Sequence, residues 1–254
     1  MKAHTQNKEA SLSSPSGELE GGQELEGGFS IIAHIETAFP TKFGVPRQSG
    51  LVRGLPARII FTPEFRNAEA LRGLEGYSHI WLLWDFSLAH DGKPWRPTVR
   101  PPRLGGNRRM GVWATRSPFR PNHIGLSCVR ILSINLHTAQ GPVIEVDGAD
   151  LMNGTPILDI KPYLPYVDAH PEARGGFADA TADYALTVQC PPELLQKISP
   201  EKQAALLGVL KNDPRPAYQH DPERVYALNF GDAVVRFSVD GEELTVVDIE
   251  KEKR

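Results

Sequence analysis

From Trp95 to Gly125 the chain reads WRPTVRPPRLGGNRRMGVWATRSPFRPNHIG, and the residue types best suited to chemistry lie in this stretch. Between Gly92 and Ile144 there is no Asp or Glu. The same span holds Lys93, Arg96, Arg100, Arg103, Arg108, Arg109, Arg116, Arg120 and Arg130, nine of the 28 Lys and Arg of the chain. Clustered like charges repel and a buried guanidinium needs a partner, so packing alone does not explain such a field. A planar guanidinium makes paired hydrogen bonds to carboxylate or phosphate and stacks on aromatic faces. Trp95, Trp113 and Phe119 are interleaved with the arginines. A solvated basic loop would account for the charge, but the aromatics point to anion capture combined with stacking.

The elements that must position this stretch are read from periodicity and punctuation. Pro97, Pro101, Pro102, Gly105, Gly106, Pro118 and Pro121 exclude a helix there and predict ordered loops. Residues 30–37 and 57–62 read as strands, and 63–74 as one short helix with Ala68, Ala70, Leu71 and Leu74 on one side. Residues 79–86 are apolar at nearly every position and predict a central strand buried on both faces. Further strands are expected over 111–115, 125–136, 143–147 and 157–161. Strands in this number, joined by long irregular connections without a repeated β-α-β pattern, predict a mostly antiparallel sheet curled into a small β-barrel. Beyond a Pro- and Gly-rich connection at 171–180, a strand over 184–190, a helical pattern over 193–210 and strands over 225–230, 233–239 and 243–247 predict a small α+β domain. The domain plan is thus a disordered acidic tail over 1–28, a mostly β barrel domain over 29–170, a linker and an α+β C-terminal domain over 181–254.

Composition narrows the class. The chain has 254 residues, 40% hydrophobic and 23% charged, as expected of a globular protein. Its longest apolar run, Ile80–Trp84, is far too short to cross a bilayer. The polar N-terminus has no apolar signal region, and Cys128 and Cys190 lie far apart without CxxC spacing, so a reducing cytoplasm is expected. A net charge of -3 argues against coating the whole surface with nucleic acid, but is compatible with one basic face. No GxGxxG, Walker A, HExxH or GxSxG motif is present, and no His pair has ligand spacing, so no metal site is expected.

Smaller candidates stand outside the central stretch. Arg47-Gln48 sits in a loop held by Pro46 and Gly50, and Asn153-Gly154-Thr155-Pro156 forms a turn; each is either a ligand contact or a plain connector. Asp213-Pro214-Arg215-Pro216-Ala217-Tyr218 follows the last predicted helix, where proline would fix an extended path aiming Arg215 and Tyr218 outward to a phosphate and a base. A stiff connector is the other reading of that segment.

FGVPRQSGLV (43–52), LRGLEGYSHIWLLWDF (71–86), the long motif 95–125, DLMNGTPILDIKPYLPY (150–166) and DPRPAY (213–218) resemble the TsaA-like, TrmO-type tRNA methyltransferase family. The resemblance runs from Phe29 to the C-terminus. It implies a small β-barrel that binds S-adenosyl-L-methionine, commonly at a homodimer interface, and methylates N6 of threonylcarbamoyl-adenosine at position 37 of threonine tRNA. Carried over by position, it places donor contacts on Arg47, Gln48, Ser49, Ser87, Leu88, Arg116, Leu126, Asn153, Gly154, Thr155 and Pro156. Phe86-Ser87 stands where the family often has Phe-His, and Asn153 where it often has Asp. RNA contacts are expected from Arg96, Arg100, Arg103, Arg108, Arg109, Arg120, Arg215 and Tyr218, while no residue is singled out as the base. A non-catalytic RNA-binding barrel, or a methyltransferase acting on another acceptor, remains an alternative.

Overall fold

The computed structural model describes residues 24–25, 28–89, 95–101, 108–215, 219 and 221–251. Lys93, Arg103, Tyr218 and most of the expected tail lie outside the described residues. Near the start, β1 (Glu24–Leu25) pairs with β2 (Phe29–Ser30).

The barrel is built from β3 (Ala33–Glu36), β4 (Pro56–Phe61) and β5 (His79–Asp85), followed after a hairpin by β8, β9 and β10. The hairpin joins β6 (Thr98–Val99) to β7 (Met110–Gly111). β8 spans Ile124–Thr138, β9 Gly141–Asp147 and β10 Thr155–Pro162. The closed order is β10-β3-β4-β9-β8-β5, every pair antiparallel, as the sequence predicts. The interior is filled by one face of each strand, including Ile35, Ile59, Ile80, Leu82, Ile144 and Ile157, all 0% exposed. Each such side chain contributes about 1.5–3 kcal/mol by leaving water.

Three local expectations are corrected. β5 is not buried on both faces: Ile80 and Leu82 point into the barrel while His79, Trp81 and Leu83 are half-buried outside, because closure gives every strand one inner face. Residues 63–74 form no single helix but separate 3-10 turns at Pro63–Phe65, Ala68–Leu71 and Leu74–Gly76. The breaks are local: Asn67 caps the second turn through its side chain, and Gly73 is left-handed at φ 88°. The predicted strand 111–115 is replaced by β7 and a 3-10 turn at Val112–Ala114.

A one-turn helix, α1 (Pro165–Asp168), follows β10, with Asp168 Oδ2 accepting from Trp81 Nε1 at 3.1 Å and from the Leu164 amide at 2.8 Å. Beyond it, β11 (Thr187–Gln189) precedes α2 (Pro192–Leu195) and α3 (Pro200–Lys211). The helical pattern over 193–210 is therefore two helices, since Pro200 has no amide to continue a helix and instead opens α3. Strands β12 (Tyr226–Phe230), β13 (Ala233–Asp240) and β14 (Glu243–Lys251) complete a sheet ordered β11-β14-β13-β12, with β11 parallel to β14. Ala205, Leu206, Val209 and Leu210 of α3 pack on it.

The connection between β3 and β4 belongs as much to this second unit as to the barrel. Phe39, Val52 and Leu55 are buried in the same core as Leu206, Leu228 and Phe230. The Phe43 ring stacks on Tyr226 and Phe237. Gly44 is left-handed at φ 91°, and a Cβ there would overlap Leu228. Arg47 Nη2 donates to the carbonyl oxygens of Asp213 (3.1 Å) and Arg215 (3.0 Å).

Arg215 does not point outward to a phosphate as its proline-rich surroundings predict. It is 6% exposed, and its Nε and Nη2 fork onto the two oxygens of Asp213 at 2.9 and 3.0 Å. Asp213 also accepts from the Tyr184 hydroxyl at 2.8 Å. Burial raises the Asp213 carboxyl, but the Arg215 and Tyr184 hydrogen bonds outweigh it and the net direction is down. A depressed carboxylate adds stability above its unfolded value that is lost as pH falls through the folded one. Removing one partner strands the other, so Arg215→Ala is expected to cost about 3–5 kcal/mol in urea unfolding at neutral pH. The loss should shrink as pH falls through the acid range, because burial without the guanidinium raises the Asp213 carboxyl in the variant and its protonation removes the stranded charge. A cost below about 1 kcal/mol would place the pair among surface ion pairs instead.

Candidate functional site

A hollow of about 210 Å³ opens where the barrel meets three loops. Lys42 and Val45 come from the β3–β4 loop, Trp84 to Ala89 from the end of β5, Pro118 and Phe119 from the basic stretch, and Asp150, Leu151, Met152 and Thr155 from the turn before β10. Its floor is aromatic, the Trp84 and Phe86 rings lying 4.1 Å apart between centroids. Trp84 lies flat there because its cross-strand partner is Gly125, where a Cβ would overlap the indole.

Behind one wall runs a polar chain. Trp84 Nε1 donates to Ser127 Oγ at 3.0 Å, and Ser127 Oγ donates to Asp150 Oδ1 at 2.5 Å. Burial raises the Asp150 carboxyl, opposed by the Ser127 hydroxyl, the backbone amides of Asp150 and Ser49, and the charge of Arg116. Ser49 Oγ accepts from the Cys128 amide at 3.1 Å, and Arg116 Nη1 donates to Gln48 Oε1. Gln48 Nε2 in turn donates to the Arg47 carbonyl at 2.6 Å.

The fold thus gathers most of the donor-contact expectations into one region. Ser87, Leu88 and Thr155 line the hollow itself. Gln48, Ser49 and Arg116 connect to its Asp150 wall, and Leu126, 48% exposed, neighbours Ser127 on β8. Arg47 differs, since its Nη2 is committed to the two carbonyls of the second unit. In the 153–156 turn, Asn153 Oδ1 accepts from the Thr37 amide at 3.0 Å, the Asn153 amide donates to the Phe39 carbonyl at 2.8 Å, and the Gly154 amide donates to the Ile35 carbonyl at 2.8 Å. His34 Nδ1 donates to the Gly154 carbonyl at 3.1 Å. Thr155 Oγ1 donates to the Met152 carbonyl at 2.8 Å, and Pro156 is buried. An aspartate oxygen could accept the Thr37 bond as well as Asn153 does, so exchanging the two leaves the turn intact.

The basic residues divide. Arg96, Arg100, Arg108 and Arg109 are exposed and flank the two strands of the β6–β7 hairpin. Arg120 folds back instead: its Nη1 donates to the Thr115 carbonyl at 3.0 Å and, at 3.3 Å, to that of Ser117, clamping its own loop. Its guanidinium carbon lies 5.7 Å from the Trp113 ring, and Trp113 stands 5.8 Å from Trp95 at an interplanar angle of 31°. Trp95 is 49% and Trp113 67% exposed, so an aromatic ladder meets solvent beside the arginines. The residue that sequence reasoning passed over is Asp150, whose signal was faint: the first carboxylate on the hollow side after the acid-free span, just ahead of the Asn-Gly turn.

Comparison with known proteins accounts for both units. Residues 34–169 match the profile of the tRNA-methyltransferase O N-terminal domain, and residues 183–252 that of the TrmO C-terminal domain. The chain is 41% identical over 219 residues to the tRNA (adenine(37)-N6)-methyltransferase of Escherichia coli, covering 83% of this chain and 92% of that one. It is 42% identical over 216 residues to a Pseudomonas aeruginosa protein described as a putative S-adenosylmethionine-dependent methyltransferase, RcsF, covering 82% and 90%. A crystal structure of TrmO from P. aeruginosa superposes with a TM-score of 0.70 at 32% identity, covering 90% of this chain and 99% of that one. The chain belongs to the tRNA-methyltransferase O family, through its barrel and its second domain alike.

Proposed function

We propose that this protein is an S-adenosyl-L-methionine-dependent tRNA methyltransferase acting on N6 of adenosine 37, and that its acceptor is threonylcarbamoyl-adenosine in threonine tRNA. The observation that carries the reading is the convergence of the 42–49, 84–89, 116–119 and 150–155 segments on one aromatic-floored hollow with cations at its edge and an RNA-suited basic ladder beside it. The relatives' shared activity on adenosine 37 supports it.

The residues present suit the donor. Arg116, oriented by Gln48, answers a carboxylate. Trp84, Phe86 and Phe119 offer faces to an adenine or to a sulfonium cation. The donor supplies a methyl group on a sulfonium that leaves without a metal. What this chain contributes is positioning, since in-line displacement gains most of its rate from holding the reactants in register. At about 210 Å³ the hollow is smaller than the roughly 300–1,000 Å³ that encloses ligands of this size. Leu88 (63% exposed) and Phe119 (57%) extend it as an open apolar rim, which a second copy of the chain would cover. A cytoplasmic homodimer is part of the proposal on that ground.

On the RNA side, Arg96, Arg100, Arg108 and Arg109 meet the phosphates, while Trp95 and Trp113 take an unpaired base of the anticodon loop. Arg47 and Arg215 serve this arrangement indirectly by fixing the loop that carries Gln48 and Ser49.

Labelled donor incubated with threonine tRNA is expected to mark the threonylcarbamoylated form and leave the unmodified form blank; equal marking of both would overturn the acceptor assignment. The two substrates should also separate by mutation. Arg116→Ala is expected to weaken donor binding in calorimetry about tenfold or more, the worth of a charged hydrogen bond. Trp113→Ala should leave that binding unchanged and weaken tRNA binding by a similar factor, since a stacked base contributes about 1–3 kcal/mol. If each variant lost both affinities equally, the division into donor and RNA faces would be wrong.

A further inference from the structure

Of the carboxyl groups that border the hollow, Asp85 closes β5 at 3% exposure, while Asp150 stands half-buried at the start of the turn before β10. Hydrogen-bond chemistry sets the polarity at Asp150. An indole nitrogen can only donate, so Ser127 Oγ must accept from Trp84 and has its single proton left for Asp150 Oδ1. The chain from Trp84 through Ser127 therefore presents Asp150 as a proton acceptor in a hollow whose apolar lining includes Trp84, Phe86, Phe119 and Leu151. Building on the methyltransferase reading above, we propose that Asp150 is the general base of the reaction. Asp150 accepts the proton that leaves N6 as the N6–carbon bond forms and the carbon–sulfur bond breaks with its electron pair remaining on sulfur. The carboxyl later returns that proton to solvent through the open rim.

The setting suits the task. An ordinary carboxylate is a weak base at neutral pH, and burial moves Asp150 in the useful direction. The charge of Arg116, from the loop before β8, favours the ionised form. The other charged groups facing the hollow are Lys42 from the β3–β4 loop and Asp85 at the end of β5. The acceptor nitrogen carries a carbonyl substituent that makes its N–H more acidic, so a carboxylate of raised basicity is matched to it.

The test is single-turnover methylation of threonylcarbamoylated tRNA by the full-length protein from about pH 5 to pH 9, with donor affinity measured separately by calorimetry. Asp150→Asn is expected to lower the rate at neutral pH by about 100-fold or more and to abolish the acid limb of the profile. Its donor Kd should change by less than about threefold. Ser127→Ala removes a hydrogen bond that holds the carboxyl down, so the acid limb of that variant should move to higher pH. Retention of the rate and acid limb in Asp150→Asn would overturn the proposal. So would a donor affinity that falls in proportion to the rate, which would make Asp150 a donor anchor. Wild-type turnover in the same assay checks the methyltransferase reading independently of either variant.

Discussion

The arrangement depends on one loop of the barrel domain being buried in the core of the second domain. The β3–β4 connection leaves the barrel, buries Phe39, Val52 and Leu55 among the side chains of α3 and the second sheet, and returns to β4. Its crest, Arg47, reaches the carbonyls of Asp213 and Arg215, and those carbonyls are fixed because the two side chains pair in a buried site. A buried ion pair contributes little net stability against an apolar replacement, but it tolerates few geometries. The consequence lies across the loop, where Gln48 and Ser49 are set at the Arg116 and Asp150 wall of the hollow. Among the described residues, the second domain therefore shapes the site without lining it.

A second constraint is electrostatic. An acid-free run of arginines repels itself, and the fold resolves the repulsion in two ways. Arg120 is neutralised locally by its own loop's carbonyls and the Trp113 ring, and Arg116 is turned to Gln48. Arg96, Arg100, Arg108 and Arg109 are left in solvent on the β6–β7 hairpin. The first group shapes the pocket, and the second leaves a positive face that only an external anion can neutralise.

The barrel was legible because the number of strands, their long irregular connections and the absence of β-α-β units leave few other architectures. β5 misled: its outer face is half-covered rather than solvated, so Trp81 and Leu83 are apolar there and alternation disappears from the sequence. Residues 63–74 misled in the opposite way, since apolar residues at helical spacing also suit successive 3-10 turns when Asn67 and Gly73 interrupt them. Asp213 to Arg215 was read as a projecting arm because the pattern shows proline stiffness but not the acid two residues away folding onto the guanidinium.

By itself the sequence determined most of the strands, the two-unit order, the charge asymmetry and the family, since each depends on local periodicity, composition or motif. Tertiary structure alone decided which arginines face outward: Arg47 finds its carbonyls 166 and 168 residues away in the second domain, while Arg120 and Arg215 meet acceptors within five residues only in the folded conformation of their own loops. It also decided that Asp150 belongs to the site. That carboxyl is held through Trp84 and Ser127 on two adjacent strands, and the register of the β5–β8 pairing brings them to the same wall.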